Sequence, residues 1–292
     1  MQSLTQLVYL ALWFFRARFL GRRKPLQSVV FVTNGCDSTC RHCTQCTRPS
    51  ADTFKPLADI SDDLDYCYAQ GARLLDIEGA RLLRWHDGEH RPADIFKLAH
   101  SKGFYSISTM IPAADYAAWQ RSPLEVDLLW LSVMSLKDCT LLEEAKDLSI
   151  LMVVNANNVG EVPAILEFVQ SHPAIRQIAF NFHTPFAGSE ASALSPIERK
   201  EVIHMLMDRK QKGYRIMNSR SGLRNMLSQR FHRHCWICNF IYCDGRRSPQ
   251  CLDDPTCALC SQCGFSMAGE MSAVFSFRPD TLLAGLGGRS SR

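Results

Sequence analysis

The sequence lacks a long apolar run, a secretory signal and a strong net charge. A membrane-spanning helix needs about 20 apolar residues in succession, and the apolar run at residues 7–15 is much shorter. The sequence before this run lacks the basic start of a signal peptide, and no small-residue cleavage site follows it. The net charge of +4 is too small to indicate nucleic acid as a partner. We therefore expect neither a membrane-spanning nor a secreted protein, and no nucleic-acid binding.

Cysteine, by contrast, is abundant. The 292 residues contain 13 cysteines, an odd number, and these cluster towards both ends of the chain. Without a secretory signal, this usage fits a reducing compartment and metal ligation better than a disulfide scaffold. The apolar fraction of 46% is enough for a sizeable core, so the length predicts one large domain or a domain with an appendage.

The first cysteine cluster, Cys36, Cys40 and Cys43, has the spacing C-x3-C-x2-C and follows a short β-branched strand at residues 28–32. Iron–sulfur cubes normally take four cysteine ligands, so three cysteines would leave one iron open. Structural zinc prefers a closed set of four ligands, which Cys46 or His42 would have to complete. The pattern favours an iron–sulfur cluster with an open position, and a zinc site or a disulfide loop are the alternatives.

This spacing resembles the signature of the radical S-adenosylmethionine (SAM) superfamily. There the open iron binds the amino and carboxylate groups of SAM, and an electron from the cluster cleaves SAM to a 5′-deoxyadenosyl radical. The resemblance implies a [4Fe–4S] cluster on Cys36, Cys40 and Cys43, SAM as cofactor, and a reductant such as flavodoxin or ferredoxin. His42 stands where the family more often has an aromatic residue, and its planar ring is expected beside the cofactor.

Strand-like and helix-like stretches alternate after this motif. Strands are predicted at residues 73–77, 105–109, 128–133, 150–154 and 177–181, and helices at 56–70, 92–102, 141–148, 162–170 and 196–212. Such alternation predicts parallel βαβ units. A full (β/α)8 barrel takes about 250 residues, more than residues 28–220 supply. We therefore expect an α/β fold with a partial (β/α)6 barrel, as in radical SAM enzymes.

Ligands of βα barrels collect at the carboxyl ends of the strands. After the second predicted strand, residues 78–84 resemble the Gly-Gly-Glu-Pro segment of the family, with Gly79 kept and Ala80 in the glutamate position. In the family this segment holds the amino group of SAM largely through backbone carbonyls. The resemblance therefore implies that Gly79 and Ala80 bind the cofactor through their backbone.

Three further candidates follow later strands. Ser132 resembles the serine of the family's fourth strand and would reach the SAM carboxylate or ribose. Asn155 would bind the ribose hydroxyls, and His183 would serve as an acid or base in the pocket. Ser and Asn also cap ordinary loops, and a lone histidine is often a structural donor, so each has a structural alternative.

A second cysteine cluster occupies the C-terminal part of the chain. Its density predicts a metal-stapled subdomain, because a short segment cannot bury much core. Residues 241–251 predict a hairpin around the Asp244–Gly245 turn. This resembles the hairpin of SPASM and twitch auxiliary-cluster domains and implies a second [4Fe–4S] cluster; a zinc knuckle is the alternative. The implied ligands are Cys235 or Cys238, Cys251, and two or three of Cys257, Cys260 and Cys263.

The apolar run at residues 7–15 is followed by five basic residues. These are Arg16, Arg18, Arg22, Arg23 and Lys24. The combination predicts an amphipathic helix in a membrane interface, with its cations towards anionic headgroups. The alternative is a helix that packs on the barrel or on a partner subunit. The first interpretation predicts a cytoplasmic protein, peripheral on the inner face of the membrane.

The expected domains are an amphipathic helix at residues 1–25, a radical SAM barrel at 26–225, an auxiliary-cluster domain at 226–277 and a flexible tail, rich in Gly, Ser and Arg, at 278–292. This layout resembles the adenosylhopane-forming branch of the superfamily, which implies a lipid or isoprenoid-like substrate. One alternative is a peptide-modifying maturase. The argument against it is that the chain leaves no room before the barrel for an N-terminal peptide-recognition domain. The other is a non-enzymatic iron–sulfur or zinc-binding interaction protein.

Overall fold

A single sheet organises the computed structural model, which describes residues 4–34, 53–142, 148–186, 188–251 and 258–282. Its order is β6-β5-β4-β3-β2-β1-β7-β8, and every neighbouring pair is parallel except β7 and β8. The strands are β1 (Gln27–Phe31), β2 (Leu74–Glu78), β3 (Ser106–Pro112), β4 (Leu128–Val133), β5 (Leu148–Val154), β6 (Ile175–Phe182), β7 (Cys238–Ile241) and β8 (Arg247–Ser248). The α/β fold with a parallel sheet is confirmed. Within the described ranges, β6 and β8 are the two edges.

Helices separate successive strands of the sheet. They are α1 (Leu4–Phe19), α2 (Leu57–Gln70), α3 (Pro92–Ser101), α4 (Tyr116–Arg121), α5 (Leu136–Thr140), α6 (Val162–Ser171), α7 (Pro196–Gln211), α8 (Arg220–Ser228) and α9 (Ser266–Phe275). Local sequence sets their ends. At α7, Ser195 and Glu198 exchange side-chain-to-backbone hydrogen bonds in a capping box. At α2, Gly71 adopts a left-handed φ of 110° that an L side chain rarely tolerates.

The two faces of the sheet differ in composition. Successive strand side chains point to opposite faces, and one alternating set is buried with apolar residues of α2, α3 and α6 in the main core. This set includes Val30, Leu75, Ile77, Ile107, Leu131, Ile150, Met152, Ile178 and Phe180. The opposite set is more polar and mostly half-exposed, and it includes Gln27, Phe31, Asp76, Glu78, Met110, Trp130 and Ser132. We call this second face the open face, and it is the one that remains accessible to a ligand.

The short helix between β4 and β5 lies earlier than the sequence suggests. A helix was expected at 141–148, but α5 spans Leu136–Thr140 and β5 already begins at Leu148. The reason is a capping box: the Ser135 hydroxyl accepts from the Asp138 amide, and the Asp138 carboxylate accepts from the Ser135 amide at 3.0 Å. This S-x-x-D pattern fixes the start of the helix one residue after Ser135.

The predicted C-terminal hairpin is present and extends the main sheet. Strand β7 pairs with β1, with Cys238 opposite Gln27 and Ile241 opposite Val30. Strand β8 returns antiparallel to β7, and Gly245 takes the positive φ of 82° that the turn requires. This confirms the hairpin around Asp244–Gly245.

Helix α9 packs on α8 in the part of the chain after the cysteines. Asn225 of α8 donates to the carbonyl of Gly269 at 2.9 Å. Beyond α9, Asp280 accepts from the Ser221 amide at 2.8 Å, and the Thr281 and Ser219 hydroxyls lie 2.8 Å apart. The first residues of the segment expected as a tail are thus bound to α8, whereas residues 283–292 lie outside the described ranges.

Helix α1 is attached to the body along one side only. The Tyr9 hydroxyl donates to the Gly71 carbonyl at 2.6 Å, the Trp13 indole to the Lys24 carbonyl at 2.9 Å, and the Arg18 guanidinium to the Phe275 carbonyl at 3.1 Å. The other side is exposed and apolar, and it consists of Leu4, Leu7, Val8, Leu12, Phe15 and Phe19. Among the residues described, no helix combines the length and apolar character that crossing a membrane requires.

Candidate functional site

The segment that contains the cysteine motif has its two ends paired with each other in the structure. Cys36, Cys40, Cys43 and His42 lie outside the described residues, but both ends of their segment are described. The Asn34 amide donates to the Thr53 carbonyl at 2.9 Å, and the Lys55 amide donates to the Val32 carbonyl at 2.9 Å. Residues 32–34 and 53–55 therefore form a paired stem directly after the carboxyl end of β1. We call it the loop stem.

The turn after β2 packs tightly against the loop stem. A Cβ atom at Gly79 would lie 2.5 Å from Thr33 Oγ1 and 3.2 Å from the Thr33 nitrogen. Two residues further along the same turn, the Arg81 amide donates a hydrogen bond to Thr33 Oγ1 at 3.3 Å. Gly79 thus permits this close approach, and Ala80 lies half-buried in the same turn. Both predicted residues therefore lie in a turn that contacts the loop stem.

A buried ion pair fixes the other half of the loop stem. The side chain of Lys55 is 2% exposed, and its Nζ lies 2.6 Å from Asp63 Oδ2 and 2.7 Å from the Tyr242 carbonyl. Arg247 donates to the second oxygen of Asp63 at 3.0 Å. These contacts join the loop stem to α2 and to the β7–β8 hairpin. Sequence reasoning missed them, because Lys55 and Tyr242 are 187 positions apart.

Ser132 lies on the open face of β4. Its neighbours Leu131 and Val133 are fully buried on the opposite face, whereas Ser132 is half-exposed. In the sheet it pairs with Pro112 of β3 and with Leu151 of β5. The side chain is therefore available to a ligand on the open face.

Asn155 and His183 lie at strand ends, as expected, but their side chains form hydrogen bonds within the turns that follow these strands. Asn155 is 2% exposed, and its Oδ1 accepts from the Asn157 amide at 2.8 Å. His183 is 4% exposed, and its Nε2 lies 3.0 Å from the carbonyl and 3.2 Å from the hydroxyl of Ser189. Both residues match the structural alternative given for them.

A polar group that sequence reasoning missed lies deeper on the open face. The Asp76 carboxylate accepts hydrogen bonds from the Ser108 hydroxyl and from the Gln27 amide. Burial raises the pKa of Asp76, and these two hydrogen bonds oppose the rise. The available signal was a single aspartate in the apolar strand Leu74–Glu78, at an alternating position. The open face therefore has a hydrogen-bonded polar group of Gln27, Asp76 and Ser108 near its centre.

Two of the C-terminal cysteines, Cys235 and Cys251, pair with each other, and Cys263 and Arg233 lie nearby. The Cys235 thiol is hydrogen-bonded to the Cys251 thiol, and this bond, with help from nearby Arg233, lowers the pKa of Cys235 to about 7. Burial raises the pKa of Cys263, whose thiol also accepts a hydrogen bond from Arg233. Burial raises the pKa of Cys238 well above its ordinary value, and neighbouring Asp76, Cys67 and Cys235 raise it further.

The remaining predicted ligands are less defined. Cys260 is half-buried in the short helical turn before Cys263, and Cys257 lies outside the described residues. Within the described part of the chain, no three side chains of the ligating types are grouped closely enough to hold one metal ion. The described geometry therefore pairs Cys235 with Cys251 and leaves Cys263 as a neighbour, without a metal-binding group among the described residues.

The segment after Cys263 docks on the edge strand β6. The Phe182 amide donates to the Gly264 carbonyl at 2.8 Å, and the Gly264 amide donates to Thr184 Oγ1 at 2.9 Å. A Cβ atom at Gly264 would lie 1.6 Å from the Phe182 carbonyl oxygen. Only glycine fits there, so Cys263 is held beside the carboxyl end of β6.

Solved structures are similar to this chain in fold. Neither protein-family models nor curated proteins match the sequence. SuiB of Streptococcus suis bound to S-adenosylmethionine matches with a TM-score of 0.56 and 13% identity over 78% of this chain and 61% of that chain. SuiB bound to the precursor peptide SuiA matches with a TM-score of 0.57 and 12% identity over 83% and 62%.

A third structure, anSMEcpe with bound AdoMet, matches with a TM-score of 0.50 and 13% identity over 83% of this chain and 82% of that chain. The chain shares the fold of these proteins. It spans less than two thirds of the length of the SuiB chain. Nothing in the three matches supports the adenosylhopane-like branch that the sequence layout suggested.

Proposed function

We propose that this protein is a radical SAM enzyme that cleaves S-adenosylmethionine reductively. The observation that carries the proposal is the loop stem after β1, which joins the two ends of the segment that contains the C-x3-C-x2-C motif. Two of the proteins that share the fold were solved with SAM bound, the cofactor that the motif implies.

The residues present fit the implied cluster. Three thiols in one short segment suit an iron–sulfur cube with one open iron, and Cys36, Cys40 and Cys43 would hold it. Bound there with SAM, the cluster would supply a 5′-deoxyadenosyl radical. The chain itself would position and shield the cofactor: the backbone at Gly79 and Ala80 lies beside the loop stem, and Ser132 offers a hydroxyl on the open face.

The test is SAM cleavage by anaerobically reconstituted protein. We expect 5′-deoxyadenosine from the wild type with a strong reductant, and none from the variant C36A/C40A/C43A. Cys67→Ala is the matched control, because burial raises the pKa of Cys67 to about 11 and makes it an unreactive thiol. Equal product from wild type and triple variant would rule the proposal out.

For the substrate, we propose a peptide as the first candidate. SuiB, which shares the fold, was solved with a precursor peptide. The open face also offers hydrogen-bonding groups at Gln27, Asp76 and Ser108, which suit backbone amides. Synthetic peptides that raise 5′-deoxyadenosine formation and change in mass would support this candidate. If no peptide does so and an isoprenoid lipid in vesicles does, the substrate is a lipid.

The exposed side of α1 favours the lipid as a second candidate. Leu4 is 77% exposed, and five further apolar side chains of the helix accompany it. The basic residues from Arg16 to Lys24 are exposed beside them, and acidic residues are absent from the first 36 positions. An apolar face flanked by cations is typical of peripheral binding to anionic lipid. We infer that α1 would hold the enzyme at the inner face of the membrane.

We further propose a second [4Fe–4S] cluster in the C-terminal region. The Cys235–Cys251 pair and the nearby Cys263 support it, and Cys260 or Cys257 would complete the set. Cys238 is the weaker choice, because its buried thiol donates to the Asn239 carbonyl at 3.8 Å and has Asp76 and Cys67 as well as Cys235 for neighbours. Flavodoxin or ferredoxin would serve as the reductant. Metal analysis separates this proposal from a zinc knuckle, since two cubes give about eight irons per chain and one gives about four.

A further inference from the structure

Helix α1 lies across the amino ends of the strands. The Tyr9 ring packs edge-on against Tyr105, the residue before β3, and the Tyr9 hydroxyl donates a hydrogen bond to the turn before β2. Further along the helix, the Trp13 indole donates to the Lys24 carbonyl at 2.9 Å, and its ring lies 5.8 Å from that of Trp236. Lys24 shortly precedes β1, and Trp236 shortly precedes β7. Contacts before four neighbouring strands place α1 along one end of the sheet.

The loop stem lies at the opposite end of the same strands. It follows the carboxyl end of β1, whereas the amide of Leu26 marks the amino end by donating to the Ile237 carbonyl at 2.8 Å. A parallel strand rises about 3.3 Å per residue, so the stretch from Leu26 to Thr33 spans roughly 20 Å. The length of the sheet therefore separates α1 from the loop stem.

The exposed side of α1 ends in a group of three phenylalanines. Phe15 and Phe19 are 50% and 56% exposed, and their ring centroids lie 5.2 Å apart. Phe277, which follows α9, is 52% exposed, and its ring lies 6.3 Å from that of Phe19. The Arg18 guanidinium lies 5.4 Å from the ring centroid of Phe19 and 5.7 Å from that of Phe277. We call these three phenylalanines the aromatic corner.

The backbone of Phe277 is in a conformation that favours other residues. Its φ of 56° lies in the left-handed region, which a bulky side chain seldom adopts. Strain of this kind persists where the surroundings impose it, and it often marks a functional position. The position is also independent of the α1 sequence, since the hydrogen bond from Arg18 to Phe275 joins residues 257 positions apart. Two distant parts of the chain thus present aromatic side chains at one exposed place.

Charge identifies the partner of this surface. Exposed apolar and aromatic side chains beside cations suit an interface of anionic headgroups and acyl chains. A second copy of the chain, docked through the same surface, would bring like charges together, which is unfavourable. No acidic residue occurs before position 37 to offset them. The exposed cations are Arg16, Arg18, Arg22, Arg23 and Lys24.

We propose that α1 and Phe277 form one docking surface for anionic lipid, and that this surface orients the enzyme with the loop stem directed away from the bilayer. The proposal rests on the membrane interpretation of α1 given above and adds the orientation. The amino end of the sheet then faces the membrane, and the carboxyl end faces the aqueous phase. Substrate and reductant would reach the site from water, and a lipid held in the bilayer would have to leave it first. This orientation favours the peptide over the lipid as substrate.

Photo-crosslinking to lipid tests the orientation. Benzoylphenylalanine is placed in the full-length protein at Phe15, at Phe277 or at His86, whose exposed ring contacts Phe54 of the loop stem. Each protein is irradiated with vesicles of phosphatidylcholine and phosphatidylglycerol in equal parts, and lipid adducts are measured by mass spectrometry. We expect adducts at Phe15 and Phe277 and none at His86.

The other outcomes of this experiment each contradict a part of the proposal. Adducts at His86 would overturn the orientation, and adducts at none of the three positions would overturn the docking surface. Crosslinks between two protein chains at Phe15 would show that a second copy, and not lipid, covers α1. The same adduct yield with phosphatidylcholine alone would show that the cations do not select anionic lipid.

Phe277→Asn tests the aromatic corner without straining the fold, because asparagine tolerates left-handed backbone. We expect the variant to unfold at the wild-type temperature or above it, and to sediment severalfold less with the mixed vesicles. Ile197→Ser is the matched control, since it removes a 70% exposed apolar side chain at the start of α7, after the carboxyl end of β6. Unchanged sedimentation of Phe277→Asn would overturn the role of Phe277. Cleavage of SAM without vesicles is independent of these outcomes and tests the proposed function separately.

Discussion

Lys55 is the residue on which the loop stem depends most. Its ammonium group is buried between Asp63 and the Tyr242 carbonyl. Without Lys55, the buried Asp63 carboxylate would keep Arg247, whose side chain is 41% exposed, but would lose its buried partner. We expect Lys55→Met to lower the free energy of unfolding by roughly 3 kcal/mol, measured by urea denaturation of the metal-free protein. Lys97→Met is the control, because Lys97 is 71% exposed. Equal stability of the two variants would show that the pair does not hold the stem.

Glu270 gives the protein a dependence of stability on pH. Burial raises the pKa of this carboxyl to about 7 from an ordinary value of 4.5, against hydrogen bonds from Ser219. Between these two pH values the folded protein binds a proton that the unfolded chain has released. This stabilisation is complete below about pH 4.5 and is lost as the pH rises towards 7.

The expected loss is roughly 3 kcal/mol across that range, at 1.36 kcal/mol for each pKa unit. Glu270→Gln cannot titrate, so its unfolding free energy should fall less between pH 5 and pH 7.5 than that of the wild type. Urea denaturation at the two pH values measures the difference. If the wild type and the variant change in parallel, Glu270 has no raised pKa.

Substitution of Gly264 is also expected to destabilise the fold. An alanine there would place its Cβ against the backbone of Phe182, which cannot turn aside, whereas at Gly79 the nearest atom is the hydroxyl oxygen of Thr33. We expect Gly264→Ala to destabilise the fold by about 1–3 kcal/mol or more and Gly79→Ala to cost less. Thermal unfolding and limited proteolysis after residue 251 compare them. The account is contradicted if Gly264→Ala unfolds and is cleaved like the wild type.

At the scale of elements, alternation of apolar runs was sufficient to predict most of the parallel sheet. Strands β2 to β6 appear within a few residues of their expected positions, because each joins a continuous apolar stretch to a turn. The short helix α5 was misplaced, because the capping box at Ser135 and Asp138 was not recognised. Helix α9 was missed, because the cysteine content of the preceding stretch suggested a helix-poor segment.

The candidate site was only partly predictable for a different reason. The motif and the strand-end residues follow from local patterns, so the sequence could place Gly79 and Ser132 at the ends of β2 and β4. Other features depend on contacts between distant segments: the ion pair of Lys55, the hydrogen bonds of Asp76 and the docking of Gly264. Gly264 and Thr184, for instance, are 80 positions apart. A single sequence carries no local signal for such contacts.

Helix α1 offers a test of the membrane interpretation. Leu12→Glu places a charge on the exposed apolar side without touching the buried contacts of Trp13. We expect the wild type to sediment with vesicles rich in phosphatidylglycerol and the variant to sediment severalfold less. Gln120→Glu, an exposed position on α4, is the control for the added charge. Equal sedimentation of the wild type and Leu12→Glu would exclude α1 as a lipid anchor.

For the whole molecule, the two cysteine-bearing regions are connected through the sheet. The loop stem lies at the carboxyl end of β1, and Lys55 ties it to the β7–β8 hairpin beyond β1. The hairpin leads to Cys251, which meets Cys235, while Cys263 is held at β6 on the far edge. The C-terminal cysteines therefore lie near both ends of the strand order, and the proposed second cluster would join β6 to the hairpin.

The central claim is that Cys36, Cys40 and Cys43 hold a cluster whose open iron binds SAM. The most direct test uses the variant C235A/C251A/C263A, in which only this cluster is expected, purified and reduced without oxygen. We predict about four irons per chain and an EPR signal that changes when SAM is added, together with formation of 5′-deoxyadenosine. An iron-free protein, or a cluster whose signal is indifferent to SAM, would contradict the account.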